Sequence, residues 1–412
     1  MNVTFLFDEE DYITPPEEQL DDLLKMLADV MTEQRVSGSF FVIGERIRCL
    51  RDRGRRDVLD AIARHDIGSH VNMGSIHPTL TERMEHADWT NGCARMAADE
   101  IAGADEIGEI IGKPLTSFAR HGGAFAPQLL AMLGARAMPF VYSPASLPSH
   151  NITWYCNTLN FAHSLTVFQE AYHSRATFLE KEKEFLDAAA RLKARDWVGV
   201  FHSHPCHIKT RTFWDNNYYQ GVNTPPAEWV VPPFYPEFNM QTVRENWTFH
   251  CARLRDNPDF TIATIGQLAK QYGAQAPAAS EKEILALAAQ AADSPAPFFT
   301  DRFSAAEIAD LLARAALHRA RHGALPASLP RRNVLGPTQP PLAVPTARRL
   351  EPEAVLRIAR GLDAAVTLAG ALPSVVRCAE GTLGSVGEIG LSSALAALGA
   401  FLTAPPPPPP PP

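Results

Sequence analysis

Short apolar runs alternate with amphipathic segments over most of the chain's first two thirds. The runs at 3–7, 39–44 and 197–204 are typical of buried strands, and 17–34 and 178–195 have the 3.6-residue periodicity of helices. Strands that alternate with helices pair in parallel, because each helix carries the chain back across the sheet. The pattern predicts the α/β class with a parallel sheet or barrel.

The composition changes near residue 275, where aromatic residues become few and Ala, Leu and Pro dominate. We therefore expect a catalytic domain at 1–275 and a linker at 276–303, since the stretch AQAPAAS at 274–280 has the small-residue composition of a linker. All the candidate catalytic, metal-binding and substrate-binding residues lie in the first of these domains.

Two similar segments follow, at 304–330 and 352–376, and each consists of an amphipathic helix before the tetrapeptide Gly-Ala-Leu-Pro. A single copy could not bury its own apolar face, so we expect the two to form a small α-helical repeat domain at 304–403. Self-association through this domain is a possibility that the sequence leaves open. The proline tail at 404–412 is expected to be disordered and exposed.

Charge and cysteine content narrow the class of protein. The 412 residues carry a net charge of −8 and no basic block, which argues against nucleic acid and anionic membrane as partners. Six scattered cysteines without a CxxC pair are expected to be free thiols. No signal peptide or membrane span is visible, so the expected location is cytoplasmic, and secretion would require a mis-assigned start.

Four consecutive acids, Asp8 to Asp11, follow the first strand-like run. Side chains at i and i+2 share a face of an extended strand, so Asp8 and Glu10 are expected to point together. One carboxylate could bind a metal ion while the other accepts a proton from bound water. A solvated acidic loop that caps the next helix is the alternative.

Histidines suited to metal binding occur at His70, which ends a strand-like run, and at His77, next to Pro78 near a helix start. Two imidazoles and one carboxylate leave an open position for water, as in catalytic zinc sites. Polar loop histidines are the alternative interpretation.

Two further strand ends carry candidate residues. Arg120 could orient a base and keep it ionised, and His202 and His204 lie on one face of a predicted strand, where a histidine can protonate a leaving group. The Pro- and aromatic-rich loop at 213–236 could line a sugar groove, and a self-packed aromatic loop is the alternative. Its candidate substrate-binding residues, together with His202, are Trp214, Asp215, Asn216, Asn217 and Tyr219.

In these motifs the sequence resembles the polysaccharide deacetylases with a NodB homology domain, carbohydrate esterase family 4. The resemblance covers about the first 270 residues. It rests on the acidic motif at 7–11, SFFVIGE at 39–45, HDIGSH at 65–70 with His77-Pro78, Arg120, and His204-Pro205.

The resemblance implies a distorted, incomplete (β/α) barrel and removal of acetyl groups from N-acetylated sugars. It implies that Asp8 is the general base with Arg120 as its partner, and that His204 is the general acid. It also implies a divalent ion, with zinc expected, held by Glu10 (Glu9 as the alternative carboxylate), His70 and His77.

The chain departs from the family's pattern at two positions that bear on activity. The usual histidine spacing of four places Gly74 where the second histidine would stand, and the arginine motif has Gly122 in place of Pro. Two other functions therefore stay open: hydrolysis of cyclic amides, as in allantoinases, and a catalytically silent carbohydrate-binding scaffold.

Overall fold

The computed structural model describes most of the chain, in ten segments. They are residues 1–122, 125–142, 151–163, 167–215, 224–273, 277–293, 296–300, 302–341, 350–377 and 387–405. The chain divides into two compact units. The first consists of Met1–Ile152 and Thr158–Gly273, and the second of Thr153–Asn157 and Ala274–Pro412.

The first unit is built on a mostly parallel sheet. Its strands are β1 (Asn2–Glu9), β2 (Ser39–Val42), β3 (Asp66–Ser69), β4 (Ser117–Ala119), β5 (Phe140–Tyr142), β6 (Ile152–Tyr155, of which only Ile152 belongs to this unit), β7 (Thr158–Ala162), β8 (Gly199–Ser203) and β9 (Thr261–Ile262). The order is β6-β7-β5-β4-β3-β2-β1-β8, and β9 pairs with the start of β1. Within the described residues no ladder joins β8 to β6 or β7, so the α/β fold is the expected incomplete barrel.

Strand β1 lies between β2 and β8 and is parallel to both. Its side chains are buried from Val3 onward because both faces are covered, which explains the continuous apolar run in the sequence. Phe7 stacks on Phe40 at 4.9 Å, and Trp247 meets Phe7 edge to face at 5.7 Å. The charged residues of β1, Asp8 and Glu9, are at its carboxyl end, next to the candidate site.

Helices of the first unit follow the strands in sequence. They are α1 (Leu20–Glu33), α2 (Gly44–Asp52), α3 (Arg56–Ala63), α4 (Leu80–Met84), α5 (Trp89–Met96), α6 (Ala102–Ile111), α7 (Pro127–Ala135), α8 (Arg175–Lys193), α9 (Met240–Arg255) and α10 (Ile265–Gly273). Asp88 caps α5, where its side chain accepts a hydrogen bond from Asn91 N at 2.8 Å.

The second unit is helical and has its own apolar core. Its elements are β10 (Ala278–Ser280), α11 (Glu281–Asp293), α12 (Ala305–His322), β11 (Ser328–Pro330), α13 (Pro352–Ala369), β12 (Val376–Arg377), β13 (Glu388–Ile389) and α14 (Leu391–Thr403). The segment expected to be a linker, 276–303, instead contains β10 and α11. Ile284, Leu287 and Ala291 of α11 are buried at helical spacing, a periodicity that the Ala-rich composition had concealed.

The repeated tetrapeptide marks the ends of two equivalent helices. Gly323 after α12 and Gly370 after α13 both adopt left-handed backbone, with φ of 73° and 65°. A residue without a Cβ is favoured there, so each Gly-Ala-Leu-Pro serves as a helix stop. The proline tail lies outside the described residues from 406 onward. In the described part of the chain no helix has both the length and the hydropathy needed to cross a membrane.

Candidate metal centre

The carboxyl end of β1 supplies two buried carboxylates to one cluster. Asp8 Oδ2 accepts a hydrogen bond from His202 Nε2 at 2.9 Å, and Glu10 Oε1 accepts one from His70 Nε2 at 3.1 Å. The two acids are two residues apart at the end of a strand, as the sequence pattern predicted, and both are 3–4% exposed. Each carboxylate therefore faces imidazoles rather than water.

Two sets of potential metal ligands result, which we call the Glu10 group and the Asp8 group. The Glu10 group consists of Glu10, His70 and His121, and the Asp8 group of Asp8, His202 and His204. Within each group the ligand atoms all lie within 4.8 Å of one another. The residues come from the ends of β1, β3, β4 and β8, because the carboxyl ends of parallel strands share one edge of the sheet.

The two groups are contiguous. His204 Nε2 lies 3.5 Å from Glu10 Oε1 and 3.8 Å from Asp8 Oδ2, and His70 Nε2 lies 3.8 Å from Asp8 Oδ2. The cluster thus contains two carboxylates and four imidazoles, all with nitrogen or oxygen atoms directed at a common space.

Opposing effects set the charge states of the cluster. Burial alone would raise the pKa values of Asp8 and Glu10, but the neighbouring imidazoles lower both well below their usual range. Burial lowers the pKa of His204 to about 4. Burial also acts to lower the pKa of His121, but the Glu10 charge beside it raises the pKa overall. Both carboxylates are therefore ionised at neutral pH and His204 is neutral.

The Glu10 group fits a divalent ion by the chemistry of its donors. One carboxylate and two imidazoles are the ligand set of many catalytic zinc sites, which keep a fourth position for water. Trp214 Nε1 donates to Glu10 Oε2 at 2.8 Å, the kind of outer hydrogen bond that orients a ligating carboxylate. Asp8 Oδ1, beside the group, is buried and has no hydrogen-bond partner among the described residues.

His121 takes the position in this set that the sequence had suggested for His77. The two ligand groups found in the described residues do not include His77. Its Nδ1 instead donates to Glu82 Oε2 at 2.8 Å, and Glu82 belongs to the capping box at the start of α4. His121 could have been found from the sequence, because it stands just past the end of β4 as His70 stands just past the end of β3.

Glu9, the alternative carboxylate, points away from the cluster. Arg46 Nε donates to Glu9 Oε1 at 2.7 Å, and the same guanidinium bonds Asp21 at 2.6 Å. Burial raises the pKa of Glu9 to about 7 despite the Arg46 charge. The alternation of side chains along β1 thus leaves Glu9 in a buried ion-pair network that joins the strand to α1 and α2.

Arg120 stands at the end of β4, where its backbone N–H bonds Val141 O at 3.2 Å. The hydrogen-bond partner that the described residues give Asp8 is His202, whose ring stacks on His163 at 4.5 Å. Burial lowers the pKa of His163 well below its usual range, and the Arg120 charge acts in the same direction. Orientation of Asp8 by Arg120 stays a prediction, and His202 is the partner that sequence reasoning missed.

The residues expected to line a sugar groove lie deeper than anticipated. Trp214 and Asp215 are each 1% exposed. Trp214 packs between Tyr12 and Trp229, with ring centroids at 4.7 and 5.3 Å. Asp215 accepts a hydrogen bond from Ser75 Oγ and lies 3.8 Å from His121 Nε2. Both therefore contact residues of the Glu10 group, and sugar binding by them stays a prediction.

Other residues expected in the groove remain undetermined. Asn216, Asn217 and Tyr219 lie outside the described residues. Of the expected substrate-binding residues, His202 retains a partly open side chain, with 19% exposure.

Comparisons with known proteins give structural matches and no sequence match. No family model and no curated protein matches the chain. A carbohydrate esterase family 4 esterase from Streptococcus mutans is 13% identical, over 64% of this chain and 85% of that chain, with a TM-score of 0.37. A mutant of the peptidoglycan deacetylase PdaC from Bacillus subtilis is 11% identical, over 66% and 93%, with a TM-score of 0.32.

A mutant of BA3943 is also similar. BA3943 is described as a family 4 pseudoenzyme, and the mutant as having restored enzymatic activity. It is 9% identical, over 65% of this chain and 67% of that chain, with a TM-score of 0.33. Structures described as carbohydrate esterase family 4 proteins or polysaccharide deacetylases recur among these matches. At such identities and TM-scores the matches do not bear on activity, which has to be argued from the chain's own side chains.

Proposed function

We propose that this protein is a metal-dependent hydrolase that removes acetyl groups from an N-acetylated sugar or polysaccharide. The observation that carries the proposal is the contact between the Glu10 group, a three-donor metal set, and the Asp8 group, which holds an ionised carboxylate beside neutral imidazole. Amide hydrolysis needs both a polarised carbonyl and a proton carrier within reach of it. The substrate class comes from the motifs that resemble polysaccharide deacetylases.

Glu10, His70 and His121 would hold the ion. A divalent ion in such a site supplies Lewis-acid polarisation of the acetyl carbonyl and lowers the pKa of bound water. Zinc suits the mixed nitrogen and oxygen donors.

Asp8 would accept the proton of the attacking water. His202 holds its Oδ2 in position, while Oδ1 is left without a partner among the described residues. A carboxylate held by one oxygen and open at the other keeps a fixed orientation and one free acceptor. Because Asp8 is ionised at neutral pH, it can act as a base without prior loss of a proton.

His204, neutral at the start, would take up the proton that Asp8 removes from water and pass it to the departing amine. Its Nε2 faces both carboxylates, at 3.5 Å from Glu10 Oε1 and 3.8 Å from Asp8 Oδ2. Proton transfer by a positioned side chain contributes about 10²–10⁴-fold to a rate. His202, whose ring lies beside that of His204, has a side chain that is partly exposed to solvent.

Acetate release from N-acetylated chito-oligosaccharides tests the proposal. We expect release by the zinc-loaded protein, loss after chelation, and recovery when zinc is returned, with Glu10→Gln inactive in every state. A panel of cyclic ureides, assayed for ring opening, serves as the comparison. A metal-loaded protein that opens the ureides, or that acts on neither class, would contradict the proposed reaction.

A further inference from the structure

Two histidines lie side by side in the last turn of α12, in the second unit and outside both ligand groups. His318 and His322 are four residues apart on this helix, and their ring centroids are 4.4 Å apart. Residues at i and i+4 of a helix share one face, with about 5–6 Å between their Cβ atoms. His322 is exposed and His318 is partly exposed, so both rings can be reached from solvent.

A hydrogen bond holds the ring of His318 in place. Its Nδ1 lies 3.0 Å from Ala324 O, in the Gly-Ala-Leu-Pro stretch that follows the helix. A carbonyl oxygen only accepts, so Nδ1 carries the hydrogen, and the neutral ring keeps a lone pair on Nε2. Histidines that bind metal ions commonly donate their other ring nitrogen to a backbone carbonyl in this way. His318 therefore presents a ligand nitrogen whose orientation is fixed before an ion arrives.

The charges around the pair are compatible with a bound cation. The last turn of a helix carries the negative end of its dipole, because its carbonyl groups have no N–H partner within the helix. Two arginines lie in the same turn. Arg319 donates to Phe401 O and Leu402 O, at 3.0 and 2.7 Å, so its charge is directed at those carbonyls. Arg321 is exposed, where water and salt screen its charge.

We propose that His318 and His322 chelate a divalent ion of the late first transition row, with copper(II) the ion bound most tightly. Imidazole is a good ligand for copper, nickel and zinc, and copper has the highest affinity of these for a given set of donors. Two protein ligands leave the other positions to water, so zinc should bind this pair far more weakly than the three-donor Glu10 group and be lost when excess metal is removed. The site is separate from the proposed hydrolase centre and does not depend on it.

Calorimetric titration of the full chain with copper(II) chloride tests the site. The protein is first incubated with zinc and freed of the excess. Any exchange of copper into the Glu10 group is then the same in all the variants compared. We expect His322→Ala to bind one equivalent of copper fewer than the wild type. His86→Ala removes an exposed histidine of the first unit and should bind as much copper as the wild type.

A variant with an unchanged number of histidines separates a chelate from two independent rings. Ala320→His combined with His322→Ala moves the second imidazole to an exposed position two residues from His318. Residues at i and i+2 of a helix do not face each other, so the two rings could no longer bind one ion. This double variant should therefore lose the same equivalent of copper as His322→Ala, with its helix content unchanged by circular dichroism.

Paramagnetic copper(II) also identifies its own ligands. Less than one equivalent, added to the zinc-loaded protein, should broaden the NMR signals of the His318 and His322 rings, assigned by comparison with His318→Gln and His322→Ala. Sharp signals from both rings, equal copper binding by the wild type and His322→Ala, or full copper binding by the double variant would each overturn the inference. A wild type that retains no zinc would contradict the proposed function and leave these comparisons unchanged.

Discussion

The ring of His121 lies beside the backbone of Gly74. A Cβ at position 74 would be 3.4 Å from His121 Cε1 and 2.4 Å from Ile43 Cδ1. Position 74 is where a second histidine, four residues after His70, would stand in the family that the sequence resembles. His121 supplies an imidazole to that space from the neighbouring strand, and the absence of a side chain at Gly74 makes room for it.

His121→Ala should therefore remove the metal, whereas His77→Ala should leave it bound. Loss of an outer-shell partner costs about 10–100-fold in metal affinity, and we expect the loss of His121 to exceed that range. His77 should have no effect because its imidazole bonds Glu82. Titration of the metal-free protein with zinc, monitored by calorimetry, measures both.

A histidine introduced at position 74 should restore zinc binding to the His121→Ala protein. The combination His121→Ala, Gly74→His and Ile43→Val removes the Cδ1 atom that a Cβ would meet and restores an imidazole at the usual spacing. Ile43→Val with His121→Ala is the matched control and should bind no metal. Failure of the triple variant to bind zinc, with the fold intact by circular dichroism, would mean that the two positions do not share one ligand site.

Trp214→Phe should weaken metal binding without removing a ligand. The substitution keeps the aromatic packing but deletes the indole N–H that donates to Glu10 Oε2 at 2.8 Å. We expect about 10–100-fold lower zinc affinity, the usual effect of losing an outer hydrogen bond. Trp229→Phe is the control, because its indole N–H bonds Thr224 O rather than the cluster. Equal affinities in the two variants would contradict the role assigned to Trp214.

The parts of the site that lie at strand ends could be predicted from the sequence. Asp8, Glu10, His70 and His204 each end or directly follow a strand-like run, and parallel strands bring their carboxyl ends to one edge. The order of strands and helices was therefore sufficient to predict that these side chains converge. The same argument would have included His121 had it been applied to β4.

The parts that depend on loops and long-range pairing could not be predicted. His77 was placed near the metal on the assumption that the loop after β3 folds back. That loop instead contains left-handed turns at Val71 and Ser75, with φ of 69° and 55°, which no local residue preference indicates. Glu9 was left as an alternative to Glu10 because its buried partner, Arg46, is far away in sequence.

Asp8→Asn should keep the metal and lose most of the activity. The amide has nearly the shape of the carboxylate but does not accept a proton from water, so we expect turnover to fall about 10²–10⁴-fold. Zinc content, measured on the same samples, should remain at one equivalent because Asp8 lies outside the Glu10 group. Normal turnover by the variant would exclude Asp8 as the base, and loss of zinc would make it a ligand.

Stability of the second unit should depend on pH through Glu307. This carboxylate caps α12, where it accepts from Ser304 N at 2.8 Å, and it lies 3.3 Å from Arg331 Nη1. Burial raises its pKa from 4.5 to about 7, although the Arg331 charge acts to lower it. The folded state therefore binds the proton more tightly than the unfolded state, and the stability that results is complete below about pH 4.5 and is lost as the pH rises through 7.

Thermal unfolding of the full chain between pH 5 and 8 measures this contribution. Each unit of pKa shift corresponds to about 1.4 kcal/mol, so Glu307 should account for a decrease of up to ~3 kcal/mol in unfolding free energy. Glu307→Gln, which retains an acceptor for Ser304 N, should flatten that part of the pH dependence, whereas Glu281→Gln at an exposed position should not. Equal slopes in the two variants would show that Glu307 is already ionised in the folded protein throughout this range, so that Arg331 outweighs burial at this site.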